Sequence, residues 1–313
     1  MKTNRNQTGR LTSLFFFRHP SGSPLLQLIL LFSLLIPLPA CLFCSCNKND
    51  ADGGLDLVEV PVDSCSICLR FNISDHIADT THSIVKLDLL LYSADGIKPL
   101  VCKRCYDYLP DSVKIFCPRT EMIAVALANY PFELFRAAPE RYDGAEQLNC
   151  SFEDDSPSQP LMSGVAVLGA GASGTVTLKP LMARIMLGII SNNMKKYVRL
   201  EDPRIYLESA NAGAEILREG GFRPAELLQA PQKEPLPYDI GVFPQSPGTQ
   251  LYCYPNDSPE ATIGTPATVL VLECEIKGAT EQFRVSLPSI RRNTTTRVDI
   301  SVDGPGKFES KIY

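Results

Sequence analysis

The sequence contains no tryptophan and only three histidines in 313 residues. Histidine is the side chain that titrates nearest neutral pH and so most often serves acid–base chemistry. His76 and His82 share one polar stretch, ISDHIADTTH. Asp75-His76 has the chemistry of half a catalytic triad, but no G-x-S-x-G elbow or H-E-x-x-H helix accompanies it. The stretch reads as a solvated loop, and the chain as a non-enzyme without a cofactor or a small-molecule substrate. The acidic run Glu153-Asp154-Asp155, in a Ser/Pro-rich segment, likewise reads as solvated charge. Positive charge is also short: 30 Lys and Arg against 35 Asp and Glu give a net charge of −5. That balance argues against a nucleic-acid partner, since phosphate contacts need a basic face. The lack of tryptophan counts against a sugar-binding surface built on exposed aromatic platforms.

Acidic residues are missing from residues 1–46, which carry Lys2, Arg5, Arg10 and Arg18, and from Leu25 to Phe43 the chain is apolar. A basic segment, an apolar segment and a small-residue exit make a secretory signal. Leu38-Pro39-Ala40-Cys41 resembles a bacterial lipobox, in which the Cys thiol receives a diacylglyceryl group and becomes the mature N-terminus. Phe43-Cys44-Ser45-Cys46 is a second candidate, followed at once by the polar run NKNDADGG. Lipidation is expected at Cys41 or Cys46. The rival reading is a retained membrane helix, because the apolar stretch approaches the roughly 20 residues of a span. Pro37 and Pro39 favour cleavage instead. Loss of the four signal cations leaves 26 basic against 35 acidic residues, a mature charge of about −9.

Helical periodicity is scarce beyond the signal. Residues 47–63 read as a flexible tether. Ile67, Leu69, Phe71 and Ile73 then alternate with Cys68, Arg70, Asn72 and Ser74, and Val85, Leu87, Leu89 and Leu91 alternate with Lys86, Asp88, Leu90 and Tyr92. Such a period of two predicts strands with one buried and one wetter face. Met122 to Asn129 is apolar on both faces, as in a central strand, and only Pro131 to Leu148 reads as helical, interrupted by Pro139. Strands are expected over 175–190, 204–209, 250–254, 268–276, 282–287 and 296–302, with a long Pro-rich loop from Pro231 to Pro247 that has room for one short strand. This spacing predicts an all-β protein of two β-sandwich domains, 64–174 and 175–313.

Two motifs invite chemistry. Gly169-x-Gly171-x-x-Gly174 has the spacing of a dinucleotide fingerprint, but Thr-Val-Thr-Leu-Lys-Pro follows it where a helix would have to open, so a connector is expected. Cys65-x-x-Cys68 and Cys102-x-x-Cys105 have zinc-like spacing. A strand running through Cys65 would point Cys65 and Cys68 to opposite faces, and an exported chain meets an oxidising compartment. Zinc, free buried thiols and at least one disulfide among Cys65, Cys68, Cys102, Cys105 and Cys117 all remain open. Cys150, Cys253 and Cys274 read as core residues.

The ordered features together resemble a family. The strand CLRFNIS, the strand and turn VKLDLLLYSADG and the strand end IAVALANY are similar to the Bacteroidota fimbrillin-type (type V) fimbrial subunits, within them the minor and anchor lipoproteins. The second half adds Pro160-Leu-Met-Ser-Gly164, Val176-Thr-Leu-Lys-Pro-Leu-Met-Ala-Arg-Ile185, Leu251-Tyr-Cys-Tyr-Pro-Asn256, Arg292-Asn-Thr294 and the strand Val298 to Val302. Pro180 departs from the family's usual Arg. The resemblance implies transthyretin-like β-sandwiches in tandem, attachment to the outer membrane through the lipid, and strand exchange with other fimbrial subunits. It also implies, in stalk and tip subunits, an Arg-directed cut that discards the lipidated end. No Arg lies between Asn47 and Leu69, and the first is Arg70 inside a predicted strand, which favours an anchor that keeps its lipid. A surface glycan-binding or adhesin lipoprotein outside any fimbrium is the alternative.

Overall fold

The computed structural model of the protein describes residues 63–77, 83–195, 197–258 and 266–313. Residues 1–62, with Cys41, Cys46, the apolar segment and the tether, lie outside these, as does His82. The fold is all-β. The first strands are β1 (Ser64–Ile73), β2 (Leu87–Ser93), β3 (Leu100–Tyr106), β4 (Ser112–Pro118) and β5 (Met122–Ala128). Two short helices, α1 (Leu134–Ala137) and α2 (Tyr142–Glu146), then precede β6 (Asn149–Ser151), β7 (Met162–Leu168) and β8 (Gly174–Pro180). The helices stand on either side of Pro139, where the expected break falls. Beyond them come β9 (Ala183–Asn192), β10 (Glu201–Glu208), β11 (Gly213–Glu215), β12 (Glu234–Pro235) and β13 (Gln250–Cys253). The chain finishes with β14 (Val269–Ile276), β15 (Ala279–Ser286), β16 (Thr295–Gly304) and β17 (Lys307–Ile312).

The first eight strands, less β6, form one sheet in the order β3-β2-β5-β7-β8-β1-β4. Its middle joint is slender. Strands β7 and β8 share only the pairs Met162↔Pro180 and Ser163↔Lys179, so the sheet folds over there and its two wings share a core. Ile67 and Leu69 of β1, Val113 and Ile115 of β4, Leu87, Leu89 and Leu91 of β2, and Ala124 and Ala126 of β5 all meet in it. Full burial of a Leu or Ile side chain stabilises by about 1.5–3 kcal/mol.

Strand β5 is buried throughout, as its two apolar faces require. Strand β2 is not half-wet as its alternation suggested: Leu90 and Tyr92 enter a further core, and even Asp88 is buried. That further core joins Leu90, Tyr92, Val125 and Leu127 to Leu181, Met182, Ile216, Phe222 and Tyr254. A strand packed on both faces cannot show its second interface by a period of two.

The second half pairs two four-stranded sheets, β12-β10-β14-β15 and β13-β9-β16-β17. Ile185 and Leu187 of β9, Leu270 and Leu272 of β14, Phe283 of β15 and Val298 and Ile300 of β16 face one another between them. The apolar run 175–190 is therefore two strands in different sheets. The chain changes sheet at Leu181–Met182, so Thr175 to Pro180 belongs with the first set of strands rather than the second.

Candidate assembly site

Strand β1 is the first described element and lies inside its sheet. Its N-terminal half pairs antiparallel with β4, from Ser64↔Pro118 to Arg70↔Ser112. Its C-terminal half pairs parallel with β8, from Leu69↔Gly174 to Ile73↔Leu178. Alternate side chains fill the core: Ile67 and Leu69 are fully buried, and Cys65, Phe71 and Ile73 pack partly buried against them. Arg70 stands exposed between Ser112 and Thr175, at the overlap of the two pairings.

The chain leaving β1 is held by the turn before β16. The Ser74 amide donates to the Leu178 carbonyl at 2.9 Å. Asn293 Nδ2 donates to the Ser74 carbonyl at 2.6 Å, the His76 amide donates to Asn293 Oδ1 at 2.7 Å, and Thr295 Oγ1 donates to the His76 carbonyl at 3.0 Å. Asp75 Oδ1 accepts from the amide of Ile77, which is fully buried. His76 is thus held by its amide and carbonyl while its side chain is exposed in a loop, as expected, and the solvated-loop expectation is corrected only for Asp75, which is half-buried and gives its carboxylate to the Ile77 amide.

Arg292 supports the same region. Its guanidinium, almost completely buried, donates to the carbonyls of Lys179 at 2.7 Å, Arg218 at 3.0 Å, and Pro180 and Ile216 at 3.3 Å. It also donates to Ser163 Oγ at 3.0 Å, and that hydroxyl donates to the Ile216 carbonyl. Burial pulls its pKa below the ordinary value, and the nearby Glu219 carboxylate opposes this. Proline at 180 is tolerated because it ends β8, where its carbonyl is used and no further ladder N–H is needed. The sequence marked Arg292 and Asn293 only as parts of a pattern. Their sole warning was an Arg-Arg-Asn run between two strands.

Several segments picked out in the sequence have steric and bonding causes. Gly164 is needed because a Cβ there would overlap the Thr177 backbone of β8. The Gly169-x-Gly171-x-x-Gly174 run is the β7–β8 connection, in which Gly171 has φ +71° and lies over Cys65. Asn129, at φ +58°, ends β5. It accepts from the Val85 amide at 3.0 Å and donates to the carbonyls of Ser83 at 3.0 Å and Pro160 at 3.2 Å. Asp155 is no solvated charge: its carboxylate accepts from the amides of Ser156 and Leu161 at 2.8 Å and from Tyr254 Oη at 3.1 Å, while burial raises its pKa.

The cysteines divide by face. Cys65 packs toward the core while Cys68 lies on the other face of β1, where its amide bonds Ser173 Oγ at 3.1 Å. Cys102 is buried and Cys105 exposed on β3, and Cys117 is buried on β4. Cys150, Cys253 and Cys274 are buried. None of the eight described cysteines is joined in a disulfide in the structure, and among the described residues no group of three or more His, Cys, Asp or Glu is arranged to hold a metal.

Solved structures match this arrangement. A putative cell adhesion protein from Parabacteroides distasonis superposes with a TM-score of 0.57 at 14% identity, covering 80% of this chain and 96% of its own. A fimbrilin from Porphyromonas gingivalis gives 0.56 at 13% identity over 76% and 90%. The chain has the fold of these proteins. A tip fimbrial protein from Porphyromonas gingivalis, truncated at its C-terminus, gives 0.54 at 11% identity over 80% and 98%. No family model and no curated protein sequence matches the chain. At such identities the likeness is one of fold rather than of shared residues.

Proposed function

We propose that the chain is a fimbrial subunit of the anchor type, lipidated at Cys41 or Cys46, held at the outer membrane and joined to neighbouring subunits by strand exchange. The fold it shares with fimbrial and adhesion proteins supports the fimbrial part. The observation that carries the anchor part is the place of Arg70. It is the first Arg beyond the tether and sits in the middle of β1, where two strands bond it. A cut after it would strip Ile67 and Leu69 from the core. A tether without Arg joined to a strand inserted in the fold keeps lipid and body together. Two modules, dividing at Leu181–Met182 where the chain changes sheet, make up that body.

The segment best suited to exchange is β17. Among the described strands it pairs with β16 alone, and its side chains are exposed apart from Phe308, which is partly buried. Backbone pairing at a sheet edge supplies affinity, and side-chain pockets supply selectivity.

Mass spectrometry of the mature N-terminus tests the anchor. An acylated Cys41 or Cys46 followed by an intact 64–70 segment is expected, and a mature chain beginning at Phe71 overturns it. Deletion of the gene tests the fimbrial part: detached or altered fimbriae are expected. Unchanged fimbriae together with binding of purified protein to a polysaccharide would favour the surface glycan-binding alternative.

A further inference from the structure

We infer that Cys65 and Cys117 form a disulfide that staples the first strand of the fold to its neighbour. They are direct partners in the antiparallel β1–β4 ladder, Cys65↔Cys117. Partners in such a ladder point their side chains to the same face at a separation a disulfide spans. Both face the same core: Cys117 is buried in it and Cys65 packs against it partly exposed. The two thiols are close enough to interact, since the neighbouring Cys65 sulfur adds to burial in pushing the Cys117 thiol up to about 11. Cys68 lies on the opposite face of β1, and Cys105 is exposed on β3, at the far end of the sheet order from β4. Cys102 is the competitor: it is buried in the same core and near enough to Cys117 to act on it, but it stands on β3, which does not pair with β4. Among the described cysteines only Cys65 shares a ladder position with Cys117.

The chemistry is exchange with a disulfide oxidant such as oxidised glutathione. The Cys65 thiol, the partly exposed member, loses its proton and attacks one sulfur of the oxidant, forming a mixed disulfide and releasing one reduced thiol. Cys117 then loses its proton and attacks the Cys65 sulfur, expelling the second reduced thiol. Two cysteine thiols are oxidised, one disulfide of the oxidant is reduced, and both protons leave on the released thiols. Gly171 of the β7–β8 connection lies over Cys65, where an added Cβ would sit 3.7 Å from its sulfur. That connection therefore covers the bond from one side.

The pairing does not depend on the fimbrial reading, although one consequence does. Among the described strands the N-terminal half of β1 pairs with β4 alone, and beyond that ladder the Cys68 amide has the Ser173 hydroxyl, so that half is held on one side and peels away more easily than the rest. A cross-link at Cys65 closes that end and prevents withdrawal of β1 with the tether attached to it. In an anchor subunit, that joins the lipid to the body covalently across the sheet as well as along the chain.

The test is non-reducing peptide mapping of the full chain after equilibration with oxidised glutathione, with free thiols alkylated before digestion. Trypsin places Cys117 in the peptide 115–119 and leaves Cys65 and Cys68 together, so Cys68→Ser is mapped in parallel. A peptide pair linking Cys65 to Cys117 is expected in the native chain and in C68S. In C65S, Cys117 is expected as an alkylated free thiol. A reductant should lower the Tm of the native chain and leave that of C65S unchanged. Recovery of Cys117 alkylated in the native chain, or linked to Cys102, overturns the proposal, and does so without bearing on the mature N-terminus that tests the anchor reading.

Discussion

Arg292 Nη2 donates to the Ser163 hydroxyl at 3.0 Å, across 129 positions of sequence, and Ser163 passes that constraint on to the Ile216 carbonyl. One side chain thereby ties the end of β8, the β7 strand and the segment after β11 to the turn before β16. A buried carbonyl left without a donor costs about 1–3 kcal/mol. Arg292→Ala is expected to lower unfolding free energy by about 3 kcal/mol or more, read from urea denaturation. Arg292→Lys should recover less than half of that, because an ammonium lacks the planar fork that reaches several carbonyls at once. Equal stability of the native chain and R292A would show that these bonds merely replace equally good ones to water.

Gly164 and Gly171 should behave differently when each is replaced by Ala. At Gly164 the new methyl meets rigid backbone of β8 at Thr177, so the two strands must part. A loss of about 2–4 kcal/mol is expected, the range for overpacking a tight site with added backbone displacement. At Gly171 the neighbours are at ordinary contact distance and only the φ of +71° resists a side chain, a cost of about 1–2 kcal/mol. Thermal melts of the two variants compare them directly, and a reversed order would refute the steric account of both.

These two glycines also mark how far the sequence could be read. Period-two runs revealed β1, β15 and β16 because each has one buried face, and the β-branched residues after Gly174 ruled out a phosphate-binding helix. Strands β3 and β4, the edges of their sheet, were missed: Leu100 to Tyr106 carries Lys, Arg and two Cys and lacks a clean alternation, while in Ser112 to Pro118 the buried Val113, Ile115 and Cys117 do alternate but the large apolar Phe116, exposed between them, masks the period. Strand β17, Lys-Phe-Glu-Ser-Lys-Ile, has almost no buried side chain to betray it. The break at Leu181–Met182 was hidden because all residues from Pro180 to Ile185 are buried on one core or another. Docking roles such as that of Asn293 need a partner more than 200 residues away, and no local pattern encodes it.

Asn129 offers a test that separates conformation from hydrogen bonding. Its φ of +58° favours Asn or Gly, while its side chain makes three bonds to segments on both sides of β5. Asn129→Gly keeps the backbone and loses the bonds, and Asn129→Ala loses both. Each bond is worth about 0.5–1.5 kcal/mol net, and a left-handed non-glycine residue costs about 1–2 kcal/mol. Ala is therefore expected to be the less stable of the two by about 1 kcal/mol in denaturant midpoints. If Gly and Ala were equal, the conformational part would be negligible.

Asp155 predicts a pH dependence of defined sign. Burial raises its folded pKa above the unfolded value, despite the three donors that act the other way. The folded state therefore holds this proton more tightly, and the contribution of Asp155 to stability falls as pH rises from about 4, the unfolded value, through the folded one. Asp155→Asn keeps one acceptor oxygen and cannot ionise. The native chain should lose stability relative to D155N across that window and run parallel to it above. A difference between the two that is flat from pH 3 to pH 8 would mean that the donors fully offset the burial.

Strand β17 should be separable from the rest of the fold. It adds one ladder to β16, and its main apolar contribution is Phe308, whose ring meets Phe283 edge-on at 5.6 Å. Truncation after Gly306 removes that contact and part of a Phe burial, a loss of about 1–3 kcal/mol, leaving a folded chain by circular dichroism. It also bares the backbone of β16 along Val298 to Val302, an open edge that seeks a strand. A synthetic peptide spanning residues 305–313 added in trans should then raise the Tm of the truncated chain progressively, with the logarithm of its concentration above the dissociation constant, and a peptide of the same composition in scrambled order should not. If truncation unfolds the whole chain, β17 is part of the core. If the truncated chain folds but ignores the peptide, the β16 edge does not accept a strand and exchange must use another edge of the molecule.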